Sequence, residues 1–130
     1  MSTPLILVID DDKLTRWSVS MLLGRAGFRT QTAASGKEGL DAIRDVAPDV
    51  VLVDITLPDM DGFAVLKAIH QPYPNLPVLM MTADATSETV REAVRMGAYG
   101  HLEKPCESDS LQAAVSGALR STASPTRPTG

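Results

Sequence analysis

Five short segments, at residues 5–9, around 29–33, and at 50–53, 78–81 and, more weakly, 99–102, read as apolar runs rather than as alternating apolar and polar residues. A run such as "VVLV" at 50–53 or "VLMM" at 78–81 puts hydrophobic side chains on both faces of a strand, because successive residues point to opposite sides. Such a strand is stable only where both faces are covered, which is the setting of a parallel sheet between helices. The stretches between the runs have helical spacing. Residues 13–26 carry Val19, Leu22, Leu23 and Ala26 on one side and stop at Gly27, while 37–46 carries Leu40 and Ile43 with Ala47 beyond and stops before Pro48. A third helix begins near Gly62 with Val65, Leu66 and Ile69 inward; 87–96 places Val90, Ala93 and Val94 on one stripe and ends at Gly97; 108–119 offers Leu111, Ala114, Val115 and Ala118. Strand then helix, repeated five times, predicts a single α/β domain with a five-stranded parallel sheet, doubly wound by right-handed crossovers.

Composition removes several function classes. A length of 130 residues with 44% hydrophobic content suffices for one core and is short for two. The net charge of -4 and pI near 5.0, with no Lys/Arg cluster, argue against direct nucleic acid binding and against an anionic membrane surface. Cys106 stands alone and so forms no internal disulfide, and His70 and His101 are too far apart in sequence for a zinc motif, which fits a reducing, cytoplasmic setting. The start, "MSTPLILVIDDD", has no basic segment, and its apolar run ends after five residues, unlike a signal peptide or a membrane span. Residues 121–130, "STASPTRPTG", are rich in Ser, Thr, Pro and Gly and read as a flexible tail or the start of a linker, leaving the domain at 1–120.

In a doubly wound sheet the ligand crevice lies at the carboxyl ends of the strands, so reactive residues belong directly after the apolar runs. Asp10 and Asp11 follow the first run, Asp54 ends the third, Thr82 follows the fourth, and Lys104-Pro105 follows the fifth. Three carboxylates, a hydroxyl and an ammonium thus collect on one edge. Such density of oxygen ligands suits a hard divalent cation, Mg2+ foremost, and with it phosphate chemistry. An Asp after a strand is by itself often a helix N-cap, and Asp12 is read that way here, as the cap of the first helix. Pro58 and the "DMDG" of 59–62 are turn chemistry, with Gly62 suited to the tight turn before the third helix.

The set "DD" after the first strand, "VDITLPDMDG" around the third, "TA" after the fourth and "KP" after the fifth resembles the receiver domain of two-component response regulators over about residues 5–119. That resemblance implies a flavodoxin-like sheet of order 2-1-3-4-5 with five helices. It implies Asp54 as the phosphoacceptor, taking a phosphoryl group from a histidine kinase or histidine phosphotransfer protein. Asp10 and Asp11 would hold Mg2+ together with Asp54 and the backbone carbonyl of Thr56; Thr82 and the amide of Ala83 would bind the phosphoryl oxygens, and Lys104 would pair with them. The surface formed by the fourth helix, fifth strand and fifth helix would then change, with an output domain, a partner or a second copy of the chain reading it. The Lys104-Pro105 bond is cis in the family. A tyrosine or phenylalanine is usual three residues before the lysine; here it is His101, a smaller, titratable switch candidate. Thr56 and Asp84 occupy the positions that flank the phosphate.

On the first helix Leu14, Ser18, Met21 and Leu22 lie toward the acidic pocket with Trp17 beside it, more apolar surface than a core stripe needs, and that excess resembles the surface by which receivers dock a kinase helix bundle. Two other readings stay open at this point. A phosphorylation-independent interaction module would leave Asp54 unlabelled by an acyl phosphate. A Mg2+-dependent phosphohydrolase working through an aspartyl phosphate would turn over many substrates, although no second acid for leaving-group protonation and no cap over the site is apparent.

Overall fold

The computed structural model describes residues 3–123. Its elements follow in the order β1 (Leu5–Ile9), α1 (Lys13–Arg25), β2 (Arg29–Ala33), α2 (Gly36–Val46), β3 (Val50–Asp54), α3 (Gly62–His70), β4 (Val78–Thr82), α4 (Ser87–Arg95), β5 (Gly100–Glu103) and α5 (Ser108–Ala123). All strand pairings are parallel and the sheet order is β2-β1-β3-β4-β5, the doubly wound order expected.

Alternate residues of the central strands feed two separate cores. Leu7, Ile9, Val51, Val53, Val78 and Met80 face α2, α3 and α4, meeting Ile43, Val65, Leu66, Ile69 and Ala93. Ile6, Val8, Val50, Leu52, Leu79 and Met81 face α1 and α5, meeting Val19, Leu23, Leu111, Val115 and Ala118. This two-sided burial is why those strands are apolar at every position. At about 1.5–3 kcal/mol for each large aliphatic side chain taken from water, it is the dominant favourable contribution to folding.

The flanks depart from the expected pattern. β2, anticipated as an apolar run, is Arg-Thr-Gln-Thr-Ala with only Ala33 buried. It is an edge strand, so it needs little hydrophobic surface; its threonines suit the extended backbone, and Arg29 ties the edge down by donating from Nε and Nη2 to the Thr3 carbonyl (3.0 and 2.8 Å). Ala47 does not continue the buried stripe of α2 but ends the helix in the left-handed region (φ 47°). On α4 only Ala93 is buried; Val90 is half-buried and Val94 is 65% exposed, so the stripe expected there is mostly at the surface. α1 and α4 stop where expected: Gly27 and Gly97 have φ of 95° and 94°, which a residue with a Cβ adopts only under strain. α5 continues to Ala123, into the segment read as a tail, and residues 124–130 lie outside those described.

Candidate functional site

Each strand delivers its polar residue at the point where the apolar run ends. Asp10, immediately after β1, is fully buried and tied on every side. Its amide donates to the Ala33 carbonyl (3.1 Å). Its Oδ1 accepts from the Asp12 amide (2.9 Å), and its carbonyl accepts from Arg16 Nη1 (2.8 Å). Asp12 is, as expected, the N-cap of α1: its carboxylate accepts from the Thr15 amide and, at 2.6 Å, from the Thr15 hydroxyl, and this hydroxyl holds its pKa below the ordinary value.

Asp54 closes β3 and is buried, with Oδ1 accepting from the Thr56 amide (3.2 Å). Lys104, just after β5, spans the crevice: Nζ lies 2.6 Å from Asp10 Oδ2 and 3.1 Å from Asp54 Oδ2. The peptide bond from Lys104 to Pro105 is cis. Burial pushes the Asp54 carboxyl above its ordinary pKa, more than the Thr56 amide and the shared ammonium pull it down, and the neighbouring Asp10 adds to the rise. Burial acts against the ammonium of Lys104 too, but its two carboxylate partners outweigh it and hold the lysine pKa above its ordinary value. The two directions are compatible, because one cation serves two anions.

Asp10, Asp11 and Asp54 each place a carboxylate oxygen within 4.8 Å of the others. Asp11 is exposed at the rim, whereas Asp10 and Asp54 are buried. Asp10 Oδ2 is buried, with the Lys104 ammonium as the cation set against it. Two buried carboxylates sharing one ammonium, with a third carboxylate beside them at the rim, are a donor set that fits a hard divalent cation.

Thr82 ends β4 and is buried, but its hydroxyl is engaged with the next loop. It donates to the Asp84 carbonyl (3.2 Å) and accepts from the Asp84 amide (3.1 Å). Ala83 is exposed at the same strand end. His101 lies on the edge strand β5, exposed, in register with Met80 and away from the carboxylate cluster. The structure thus gathers Asp10, Asp11, Asp54, Thr56 and Lys104 into one cluster, sets Thr82 and Ala83 at its border, and leaves His101 outside.

Two side chains that tie down the segments around the cluster were not singled out from sequence. Arg16 reaches back six positions to the Asp10 carbonyl, and Asp59, read only as turn chemistry, accepts from the amides of Gly36 and Lys37 (2.9 Å each). Neither has a local signal beyond its charge. Cys106 is half-buried beside Lys104, and burial pushes its thiol pKa up, so it is a poor nucleophile. On α1, Leu14 and Trp17 are 68% and 60% exposed, while Met21 is half-buried and Leu22 packs against the core. The outward apolar surface of α1 is therefore smaller than its sequence suggested.

A five-stranded 2-1-3-4-5 sheet with acidic residues after β1 and β3 and a lysine after β5 is the arrangement of a receiver domain. The family model described as response regulator receiver domain matches residues 6–116, and the chain belongs to that family. It is 40% identical over 119 residues to the DNA-binding transcriptional regulator NtrC of Escherichia coli (strain K12), covering 92% of this chain and 25% of NtrC. The transcriptional regulatory protein ZraR of the same organism is 41% identical over 117 residues, which is 90% of this chain and 26% of ZraR. The chain spans about a quarter of the length of these curated relatives. Among solved structures, Vibrio cholerae chemotaxis protein CheY4 superposes with a TM-score of 0.86 at 32% identity, covering 91% of this chain and 100% of CheY4. NtrX from Brucella abortus gives 0.88 at 37% identity over 94% of this chain and 28% of NtrX. The chain is thus a CheY-like receiver domain of the kind carried by NtrC-type response regulators of two-component systems. No described helix is long and apolar enough to cross a membrane.

Proposed function

We propose that the chain is a phosphorylation-controlled switch in which Asp54 accepts a phosphoryl group from the phosphohistidine of a kinase or phosphotransfer protein. The observation that carries this reading is the bridge of Lys104 between Asp54 and Asp10, which sets an ammonium against a buried carboxylate at the carboxyl end of the sheet. A carboxylate oxygen of Asp54 attacks phosphorus, the P–N bond of the donor breaks, and the electron pair returns to the imidazole, which takes up a proton. Little covalent assistance is needed; position and charge neutralisation do most of the work. Asp10, Asp11, Asp54 and the Thr56 carbonyl would hold Mg2+, whose contribution is to neutralise charge on the phosphoryl oxygens. Lys104 remains as the protein's own cation for those oxygens, a point charge rather than a fork. The Ala83 amide and the Thr82 hydroxyl complete the phosphate contacts once Thr82 exchanges its bonds to Asp84 for a phosphoryl oxygen. Hydrolysis by water returns the carboxylate and releases inorganic phosphate.

The exchange at Thr82 acts on the loop that leads into α4. We infer that α4, β5 and α5 form the output surface, where the exposed Val94, Tyr99 and His101 offer contacts for an output domain or a second copy of the chain. The curated relatives include DNA-binding transcriptional regulators about four times as long, which supports control of an attached output domain, in the cytoplasm, with any nucleic acid contact made there rather than by this chain. Leu14 and Trp17 on α1 supply the exposed apolar contacts for the kinase. The test is incubation of the protein with Mg2+ and acetyl phosphate. Wild type is expected to gain one phosphoryl group, a gain that fails when Mg2+ is chelated beforehand and is absent in Asp54→Ala; equal labelling of Asp54→Ala would refute the assignment.

A further inference from the structure

The segment between β3 and α3 carries Thr56, Leu57, Pro58, Asp59 and Met60, and it is anchored at both ends of its span. Next to the sheet, the Ile55 amide donates to the Met81 carbonyl (3.0 Å), the Thr56 amide to Asp54 Oδ1 (3.2 Å) and the Gly62 amide to the Ile55 carbonyl (2.7 Å). A Cβ at Gly62 would stand 2.4 Å from the Asp54 carbonyl oxygen, so the returning chain lies against the backbone at the end of β3. At its far point the loop grips a different element. Asp59 spreads its two oxygens over the first two amides of α2, Oδ1 accepting from Gly36 and Oδ2 from Lys37, both at 2.9 Å. These bonds hold the Asp59 pKa below its ordinary value. Met60 packs beside them, so closely that a Cβ on Gly36 would lie 2.4 Å from its Cγ.

Asp59 is not needed merely to start α2. Ser35 already caps that helix, accepting from the Glu38 amide (3.2 Å), while Glu38 reaches back to the Ala34 amide (2.9 Å). A second cap, supplied from 22 or 23 residues away in sequence, instead fixes the loop against a rigid body. We propose that Asp59 is a positioning residue for the phosphorylation site: clamped on the N-terminus of α2, it holds the β3–α3 loop so that Thr56 presents its amide and carbonyl to the Asp54 end of the crevice. The metal-binding part of this role rests on the reading above, in which the Thr56 carbonyl is one of the ligands of Mg2+.

Two variants separate positioning from helix capping. Ser35→Ala removes the cap that touches only α2, and Asp59→Ala removes the one that ties the loop to it. Labelling by acetyl phosphate is followed against Mg2+ concentration, with thermal unfolding in parallel. Asp59→Ala is expected to raise the Mg2+ concentration for half-maximal rate about fivefold, the net scale of one ordinary hydrogen bond lost from a pre-ordered site, with the rate at saturating Mg2+ little changed. Asp59→Asn, which keeps one acceptor, should recover part of that shift, and Ser35→Ala should leave the value at wild type. An unshifted Asp59→Ala, or an equal shift in Ser35→Ala, overturns the proposal. Should wild type remain unlabelled, the phosphoacceptor reading fails instead, and the clamp is judged on hydrogen exchange of the Thr56 amide: faster in Asp59→Ala than in Ser35→Ala if the loop is held as described, equal in both if not.

Discussion

Helices α3 and α4 have nine residues each and lie on the same face of the sheet, yet they are held very differently. α3 buries Gly62, Val65, Leu66 and Ile69, and its leading loop is clamped to α2; α4 buries only Ala93, and its leading loop is engaged by the Thr82 hydroxyl. One side of the crevice is therefore an anchored wall and the other a lightly seated flap. Binding geometry is best set on the first, and a conformational response is best drawn from the second, because elements with few buried contacts open at low free energy. The contrast also warns against reading burial from periodicity: α4 is amphipathic in sequence, but much of its apolar stripe, Val94 above all, faces outward.

The largest effect that could break this contrast is a core truncation. Leu66→Ala in α3 should cost about 2–5 kcal/mol in denaturant unfolding, whereas Val90→Ala in α4 should cost less than about 1 kcal/mol; similar losses would mean that the two helices are equally seated. Native-state hydrogen exchange measures the same difference without mutation, and amides in the middle of α4 should exchange ~100-fold faster than those of α3, equivalent to about 2.7 kcal/mol in opening free energy. Lys104→Met asks whether charge as well as packing secures the anchored end. It leaves the buried Asp10 and Asp54 facing each other without a cation, so stability should fall by about 1–3 kcal/mol, with part of the loss recovered on adding Mg2+. Unfolding at the wild-type temperature would assign the anchoring to packing alone.

The smallest expected effect concerns Asp54 itself. Its pKa is raised in the fold by burial, so over a window above the ordinary value the folded chain keeps a proton that the unfolded chain has lost. Stability therefore falls as pH rises through that window, and the penalty persists above it. Asp54→Asn removes the ionisation, while Lys104 keeps Asp10 as a partner. Its melting temperature should slightly exceed that of wild type at pH 7, and the difference should vanish below the ordinary carboxylate range, near about 3.9. A difference that grows toward acid pH would contradict the cause assigned here.

Much of the site was legible because it obeys a rule of position. Asp10, Asp54, Thr82 and Lys104 each stand where an apolar run stops, and a parallel sheet brings those ends together whatever the intervening helices contain. Asp12 could be read as a cap for an equally local reason. What stayed hidden depends on distance in sequence. The Asp59 contacts with Gly36 and Lys37, and the span of Lys104 from Asp10 to Asp54, join segments that no local pattern relates. Likewise, that β2 could be polar followed from its place at the sheet edge, which the order of strands along the chain does not reveal on its own.

By itself, then, the sequence determined which segments are strands and helices, that the sheet is parallel and covered on both faces, and which charged residues meet at its carboxyl edge, because these follow from side-chain period and from chain direction. Only the tertiary structure decided how firmly each piece is held: Asp10 tied on all sides, the β3–α3 loop clamped to α2, α4 resting on a single buried alanine, and His101 outside the cluster. Those outcomes depend on which surfaces meet and how completely they fill one another, and packing between distant segments has no local signature in the chain.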